Sequence, residues 1–468
     1  MTHNRDKRTT YWTLAITSVA LFMVSLDNLV VTTALPVIRR ELHASISQLE
    51  WTVNAYTLTF AVLLLTGAAL GDRFGRRRMF VLGIVLFTGA SAAAALATSA
   101  NALDIARALQ GVGGAIITPL TLTILSAAVP AERRGLALGI WGGVGGLAIA
   151  IGPLVGGAIV QGVSWNWIFW LNVPIGLVLA PLAYRRLEET KGSEGGLDLP
   201  GLGLASVGLL GIVWALVRGN SAGWTSAGVI VPLVAGALLV AAFVAWELRA
   251  PSPMLPMQFF RNRTFALTNV ASLFMFFGMF GSIFLLAQFF QTVQHYSPLQ
   301  SGLRILPWTA MPIFIAPIAG ALSDRVGGHR LMAVGLTLQS VGLLWIAAVS
   351  TPTTPYIDLV GPFMLSGIGM SLFFAPVANV VLSSVSREHE GKASGANNAI
   401  RELGGVFGVA VLAAVFSRLG GYHDAASFTH GMQIAVYIGG SLVAVGALAA
   451  ALIKRRREPQ EALAVATR

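Results

Sequence analysis

The chain has 468 residues, of which 55% are hydrophobic and 11% charged, and its formal net charge is +11. Soluble domains carry about 25% charged residues, so this composition argues against a soluble protein and indicates a protein of the lipid bilayer. The chain contains no cysteine, which excludes disulfides and thiolate metal sites.

Apolar stretches long enough to cross a bilayer recur along the chain, beginning with one that follows a basic N-terminus. That first stretch is too long for a cleaved signal sequence, so we expect it to remain as a helix. The seventh stretch is short, and the thirteenth contains two charged residues. The fourteen predicted spans are 12–34, 50–70, 79–98, 102–126, 134–160, 167–184, 203–217, 226–246, 267–293, 303–322, 331–349, 357–384, 394–416 and 432–453.

Basic residues concentrate in alternate connections between these spans. If both termini lie in the cytoplasm, 24 of the 31 Lys and Arg residues lie on that side and five on the other. Cytoplasmic connections of membrane proteins carry such an excess. We therefore expect a multi-pass protein of the cytoplasmic membrane, in contact with the lipid bilayer, with both termini inside. The same bias explains the net charge without a nucleic-acid partner.

The connections are at most about 20 residues long, which leaves no room for a soluble catalytic domain between spans. The chain also lacks the G-x-x-x-x-G-K-[ST] loop that binds nucleotide phosphates. Its histidines show no metal-ligand spacing. We expect a protein that is not an enzyme, does not use ATP and holds no metal or other cofactor.

An internal repeat relates the two ends of the chain. The segment "ALGDRFGRRR" recurs in similar form as "ALSDRVGGHR", so that Asp72 aligns with Asp324 at an offset of 252 residues. Likewise "GVG" at Gly111–Gly113 is answered by "GIG" at Gly367–Gly369. Parallel halves of this kind occur in transporters, with the substrate site between them. The sequence predicts an all-α membrane protein of two six-helix bundles related by pseudo-two-fold symmetry, residues 1–190 and 266–468, with two inserted helices in 191–265.

One carboxylate, Asp27, lies inside the first predicted span. At 1.5 Å per residue it lies about 22 Å along the helix, hence about 8 Å below the outer face of a core about 30 Å thick. Arg107 in the fourth span reaches the same depth, and so does Asn54 in the second. Ionisable residues inside a membrane are usually functional, so we expect a polar site in this layer.

Two interpretations of an Asp27–Arg107 pair stay open. In the first it is a static ion pair that fixes two helices. In the second it binds a proton: burial and a nearby positive charge act on the carboxyl in opposite directions, so a movement of either group changes its protonation. Arg107 then modulates Asp27 as a permanent charge and does not bind substrate directly.

Two glycine-containing segments are candidates for conformational roles. The first is the loop after the second span, where glycines permit a tight reversal and the aspartate caps a helix or pairs with a neighbouring base. The second lies in the fifth span, where small residues allow either close helix packing or bending. The candidate residues are Gly71, Asp72, Arg73, Gly75, Arg76, Asp324 and Arg325 for the loop and its repeat, and Gly152, Pro153, Gly156 and Gly157 for the helix.

Several intramembrane residues are candidates to line a substrate cavity. The ninth span is rich in Phe and Met, which either face lipid or adapt to varied apolar ligands. Arg401 and Glu402 form an internal pair, a cytoplasmic gate, or the entrance of a helix. The full set of candidates is Asn54, Gln110, Phe284, Gln288, Gln291, Arg401 and Glu402.

Four motifs resemble those of the major facilitator superfamily, specifically its fourteen-span drug:proton antiporters. They are "LDNLVVTTALP" from Leu26, "GDRFGRRR" from Gly71, "LDIARALQGVGGA" from Leu103 and "GPLVGG" from Gly152. The resemblance implies proton coupling through Asp27 and Arg107, and export. Thr32 stands where the first motif usually has Asn, and Asn54 where several relatives carry an acid. The second departure favours monovalent, neutral or zwitterionic substrates over divalent cations.

The resulting expectation is a proton-coupled antiporter that exports amphipathic or cationic small molecules such as drugs, dyes or an endogenous metabolite. Its partner is a lipophilic small molecule, its coupling ion is the proton, and we expect a monomer. A proton-coupled uptake symporter for nutrients is the alternative; it would share the buried acid but would not need "GPLVGG". A membrane sensor without transport is a third possibility, disfavoured because no soluble domain could report a signal.

Overall fold

The computed structural model describes residues 2–129, 131–191, 198–385 and 390–453. Within these ranges the chain folds into α-helices joined by short turns, and no strand occurs. A chain that crosses lipid must satisfy its backbone hydrogen bonds internally, which helices do.

Sixteen α-helices and one short 3-10 helix are present in the described ranges. The helices of the first half are α1 Thr2–Glu41, α2 Ile46–Phe74, α3 Arg76–Ala95, α4 Ala100–Ala128, α5 Ala131–Gly162, α6 Trp167–Trp170 and α7 Asn172–Arg186. Next come α8 Leu199–Ala222, α9 Ala227–Glu247 and the 3-10 helix Met257–Arg261. The second half contains α10 Arg263–Thr292, α11 Pro298–Thr309, α12 Met311–Val326, α13 Gly328–Val349, α14 Tyr356–Ser383, α15 Glu390–Leu419 and α16 Ala425–Ala451.

Every predicted span overlaps one of these helices or a pair of them. The sixth span is the pair α6 and α7, and the tenth is α11 and α12, which meet at Ala310. In the described part of the chain, 11 helices are long and apolar enough to cross a membrane, or up to 12 if α2, bent by 51°, counts as one crossing. The all-helical membrane fold is confirmed, and fourteen crossings stay a prediction.

The repeat in the sequence is visible in local structure. α2 begins with a capping box in which Ser45 and Gln48 satisfy each other's backbone amides, and α11 begins with the same device at Ser297 and Gln300. Both pairs obey the 252-residue offset. The turn after α2 contains Gly75 at φ 107°, and the turn after α12 contains Gly327 at φ 96°. This backbone region favours glycine, which explains why both copies keep one there. The exact bounds of the two bundles stay a prediction.

Glycines on α4 and α14 let neighbouring helices approach at backbone distance. A Cβ on Gly113 would lie 2.7 Å from the backbone nitrogen of Phe87 on α3. In the second half, a Cβ on Gly369 would lie 2.4 Å from the backbone nitrogen of Gln339 on α13. Small residues at such crossings allow the close packing that holds membrane helices together.

We expect Gly113→Ala to destabilise the first bundle by about 1–3 kcal/mol, because the added methyl must displace backbone and not a flexible side chain. Gly89→Ala on α3 is the matched control, since its Cβ would meet nothing within 4 Å. Thermal unfolding of the purified protein in detergent measures the difference. Equal melting temperatures for the two variants would show that the α3–α4 contact yields easily.

The inserted helices α8 and α9 pack on each other and against both bundles. Trp214 of α8 packs against Trp51 of α2, with ring centroids 5.9 Å apart. The Asn220 amide of α8 donates a hydrogen bond to the Ala414 carbonyl of α15. A buried apolar cluster joins the three helices and includes Leu58, Val62, Val213, Val217, Val406 and Ala410. The insertion therefore covers the line along which α2 meets α15.

The two bundles meet closely at the end of the molecule that carries the α1–α2 turn, called here the α1–α2 end. A Cβ on Gly157 of α5 would lie 2.3 Å from the Pro298 carbonyl oxygen at the start of α11. A Cβ on Gly302 of α11 would lie 2.2 Å from the Pro153 carbonyl oxygen of α5. These reciprocal contacts bring α5 and α11 together without side chains between them.

Candidate functional site

The Asp27 carboxylate lies at the centre of a buried polar cluster that joins five helices, α1, α2, α3, α4 and α7. It is 1% exposed. One oxygen, Oδ2, accepts from Arg107 of α4 at 2.5 Å. The other, Oδ1, accepts from the amides of Gln110 of α4 and Asn172 of α7, each at 2.8 Å. The carboxylate therefore has a positive charge on one side and two neutral donors on the other.

Arg107 is held on all sides by the same cluster. Its Nε donates to the Thr52 carbonyl of α2 at 3.1 Å. Its guanidinium carbon lies 4.2 Å from the ring centroid of Tyr56 and 5.7 Å from that of Phe169. Aromatic faces attract a cation that has lost its water. Arg107 thereby links the carboxylate on α1 to the backbone of α2.

A buried ion pair costs free energy of desolvation, which its attraction offsets only when further hydrogen bonds satisfy both ions. This cluster meets that condition, because Asp27 accepts from two amides and Arg107 also donates to the Thr52 carbonyl and to Gln110 Oε1. Ser91 of α3 extends the cluster, since it accepts from Asn172 at 3.0 Å and donates to the Phe169 carbonyl at 2.8 Å. Removal of one ion from such a pair typically costs about 3–5 kcal/mol. The site can hold an ionised carboxylate, and a proton on that carboxylate would remove the charge that Arg107 faces.

The loop motif after α2 forms a small ionic cluster on the surface. Arg76 at the start of α3 forms an ion pair with Asp72 of α2 at 2.8 Å. Glu189, which follows α7, accepts from the Arg77 backbone amide at 3.0 Å and lies 3.6 Å from the Arg78 guanidinium. The aspartate thus pairs with a base on the next helix, one of the two roles considered above. The side chains of Asp324 and Arg325 in the second copy lie outside the described part of the structure.

The glycines of α5 face α1 as well as α11. A Cβ on Gly152 would lie 2.9 Å from Leu29 Cβ, and one on Gly156 would lie 2.5 Å from the Val30 carbonyl oxygen. The helix that carries Asp27 therefore packs directly on the helix that closes the α1–α2 end.

The family model of the Major Facilitator Superfamily matches residues 17–409 and 313–467. The chain belongs to the major facilitator superfamily. Its relatives include the multidrug resistance protein Stp of Mycobacterium tuberculosis, which is 36% identical over 88% of this chain and 76% of the relative. The tetracenomycin C resistance and export protein of Streptomyces glaucescens is 34% identical, over 87% and 76%. The methylenomycin A resistance protein of Bacillus subtilis is 31% identical over 91% of both chains.

Asn54 of this facilitator does not join the Asp27 cluster. It is 0% exposed, and neither its Nδ2 nor its Oδ1 has a hydrogen-bond partner. Its neighbour Thr52 supplies the contact from α2 instead. The depth estimate put Asn54 in the same layer, but the direction of a side chain around the helix axis also decides what it touches.

Sequence reasoning overlooked Asn172, although a signal for it exists. It is a polar residue five positions into the sixth predicted span. If that span runs inward, Asn172 lies about 8 Å below the outer face, the depth estimated for Asp27 and Arg107. Ser91, Tyr56 and Phe169 carry no comparable signal, because such residues are common in apolar helices.

Three candidates on α10 of the facilitator occupy different environments. Phe284 is 1% exposed and belongs to the core. Gln288 accepts a hydrogen bond from the Tyr422 hydroxyl, and Gln291 donates to the Thr33 carbonyl of α1 at 2.9 Å. The two glutamines line a cavity of about 860 Å³ at the α1–α2 end.

Arg401 and Glu402 lie on α15, which begins at Glu390, about three turns before them. The interpretation of these residues as the entrance of a helix is therefore wrong. Arg401 donates to Asn398 at 3.1 Å and packs over the rings of Phe276 and Phe374. Among the ion pairs of the described residues, none joins Arg401 to Glu402. An internal pair is not formed in this arrangement, and the gate stays a prediction.

Proposed function

We propose that this facilitator exports amphipathic small molecules across the cytoplasmic membrane in exchange for protons. The observation that carries the proposal is the buried carboxylate of Asp27 on α1, held by Arg107 of α4 within a cluster that five helices share. The names of its relatives, which include multidrug resistance and antibiotic export, support drug efflux. By the excess of basic residues in alternate connections, the α1–α2 end faces outward and both termini lie in the cytoplasm.

The structure then represents an arrangement closed toward the outside, since the bundles meet through α5 and α11 at that end. Alternating access requires these contacts to separate as the bundles rock about the substrate site. The protein needs no ATP and no cofactor for this motion, because the proton gradient drives it. It works as a monomer, since each chain contains both bundles.

Asp27 is placed to connect proton binding to this motion. Protonation removes the charge that holds Arg107, and Arg107 in turn contacts the backbone of α2 through Thr52. α1 also packs on α5 at Gly156. A change in the contact between α1 and α4 would therefore move α1 against α5, the helix that closes the outer end. A proton entering from outside and a substrate leaving would then favour opposite arrangements.

Expression in a host that lacks its own efflux pumps tests the proposal. We expect raised inhibitory concentrations for several amphipathic compounds and lower cellular accumulation of them, both abolished by a protonophore. Everted membrane vesicles give the sign of coupling: an exporter accumulates compound when the lumen is acidic. Accumulation of a nutrient by intact cells, without any resistance, would contradict export and favour the symporter.

A further inference from the structure

A cavity of about 860 Å³ lies between the two bundles at the α1–α2 end. This volume falls within the range of small-molecule sites, roughly 300–1,000 Å³. We call it the outer cavity. α1 contributes one wall, and α10, the start of α11 and the loop before α16 contribute the other. The lining residues that matter here are Arg39, Arg40, Gln288, Tyr296 and Tyr422.

The lining is positively charged. Among the described residues, those that line the cavity include two arginines, which are permanently charged, and no aspartate or glutamate. The acid next in sequence to the arginines, Glu41, accepts a hydrogen bond from the Trp165 indole at 2.8 Å. Glu50 lies nearby but is 2% exposed and does not line the cavity. In the described part of the chain neither Arg39 nor Arg40 forms an ion pair.

Aromatic and amide groups accompany this charge. The Arg39 guanidinium carbon lies 3.6 Å from the centroid of the Tyr422 ring, and the Tyr422 hydroxyl donates to Gln288. Arg304 lies 3.5 Å from the centroid of the Tyr296 ring, which also borders the cavity. Arginine binds carboxylates and similar oxyanions through a planar set of donors, and it does so best where water is partly excluded. Aromatic walls would hold the apolar part of the same molecule.

We propose that the compound this facilitator exports is an amphipathic anion, an aromatic or otherwise apolar molecule with a carboxylate or similar acidic group, and that it leaves through the outer cavity. This inference rests on the proposed function and narrows its substrate class. A cation on the same route would pass two arginines without an ion-pair partner among the described residues, and like charges repel each other. The outer cavity therefore selects against the cationic drugs that the family resemblance suggests.

Two dyes with one ring system provide the test. Fluorescein carries negative charge at neutral pH, and rhodamine 123 is a cation on the same xanthene scaffold. Both are offered to proteoliposomes that contain the full-length protein and an imposed pH gradient. We expect gradient-driven transport of fluorescein at least about tenfold faster than that of rhodamine 123, since one hydrogen bond to a charged group corresponds to about such a factor.

Variants of Arg39 and Arg40 test whether the outer cavity causes the preference for the anionic dye. Arg40→Gln is expected to lower fluorescein transport roughly tenfold, and Arg39→Lys, which keeps the charge, to lower it less than Arg39→Gln. Arg418→Gln is the matched control, because Arg418 is an exposed arginine at the same end that does not line the cavity. Elution profiles of all four variants show whether the protein is folded, and Arg40, an exposed residue, keeps the test usable if Arg39→Gln fails.

The outcomes separate this inference from the function on which it rests. Transport of rhodamine 123 but not fluorescein overturns the anion proposal and leaves proton-coupled export standing. Equal losses in Arg40→Gln and Arg418→Gln overturn the role of the outer cavity. Transport of neither dye, together with no resistance in the pump-deficient host, overturns both proposals.

Discussion

Asp27→Asn is expected to abolish export driven by a pH gradient while exchange of substrate across the membrane continues. Asparagine keeps the size of the side chain but binds no proton in this range of pH, so proton movement loses its carrier. The substrate route between the bundles is unchanged, so counterflow of labelled against unlabelled compound should persist. The two assays use the same proteoliposomes, with and without an imposed gradient.

The variant also leaves Arg107 as a buried charge without its counter-ion, which typically costs about 3–5 kcal/mol. The double variant Asp27→Asn/Arg107→Gln removes that charge and shows how much of any loss reflects instability. Asp358→Asn makes the same chemical change at an exposed position on α14 and is expected to transport normally. Full gradient-driven export by a folded Asp27→Asn protein would show that Asp27 carries no proton for transport. Its pair with Arg107 would then only fix two helices, which is the other interpretation of this site.

Gly157→Val is expected to abolish transport without unfolding either bundle. The Cβ of any larger residue at this position would lie 2.3 Å from the Pro298 carbonyl oxygen and 2.8 Å from Leu299 Cα. Both obstacles are backbone atoms of the other bundle, so the closed arrangement of the α1–α2 end is lost, whereas contacts inside each bundle remain. A transporter that cannot close outward cannot complete its cycle.

The chain has no cysteine, so introduced cysteines can be labelled without background. Spin labels on Arg40→Cys and Gln300→Cys, one on each bundle, report the separation of the α1–α2 end. The Gly157→Val protein should show longer distances than the parent. Gly143→Val on the same helix is the control, since its Cβ would meet nothing within 4 Å. Normal transport by a folded Gly157→Val protein would contradict a closing role for this contact.

The positions of the helices and the depth of the polar site could be predicted from the sequence, because both follow from hydropathy and from residue numbers along a helix. Hydropathy gives the length of a span, and residue count along a helix gives depth. That is why Asp27 and Arg107, on helices far apart in the chain, were placed in one layer and now form a 2.5 Å contact.

What sequence reasoning did not provide was the rotation of each helix about its axis and the partners across loops. Asn54, predicted at the same depth, has no hydrogen-bond partner among the described residues, whereas Asn172 donates a hydrogen bond to Asp27 although no motif includes it. Glu189, in the connection after α7, accepts a hydrogen bond from the backbone at the start of α3, and no motif in the sequence indicates this contact. Such contacts depend on how several helices pack together. The pattern of a single sequence does not show which side chains of different helices will meet.

The inserted helices have a consequence for compounds dissolved in lipid. Two seams separate the bundles: one runs between α2 and α15, the other between α5 and the pair α11 and α12. α8 and α9 lie over the first, held by the Trp51–Trp214 contact and the hydrogen bond of Asn220. Among the described helices none covers the second seam in this way, so the two sides of the protein present different surfaces to the surrounding lipid. If the compounds that this protein exports enter from the lipid, they would have to pass between α5 and the pair α11 and α12, because α8 and α9 cover the other side.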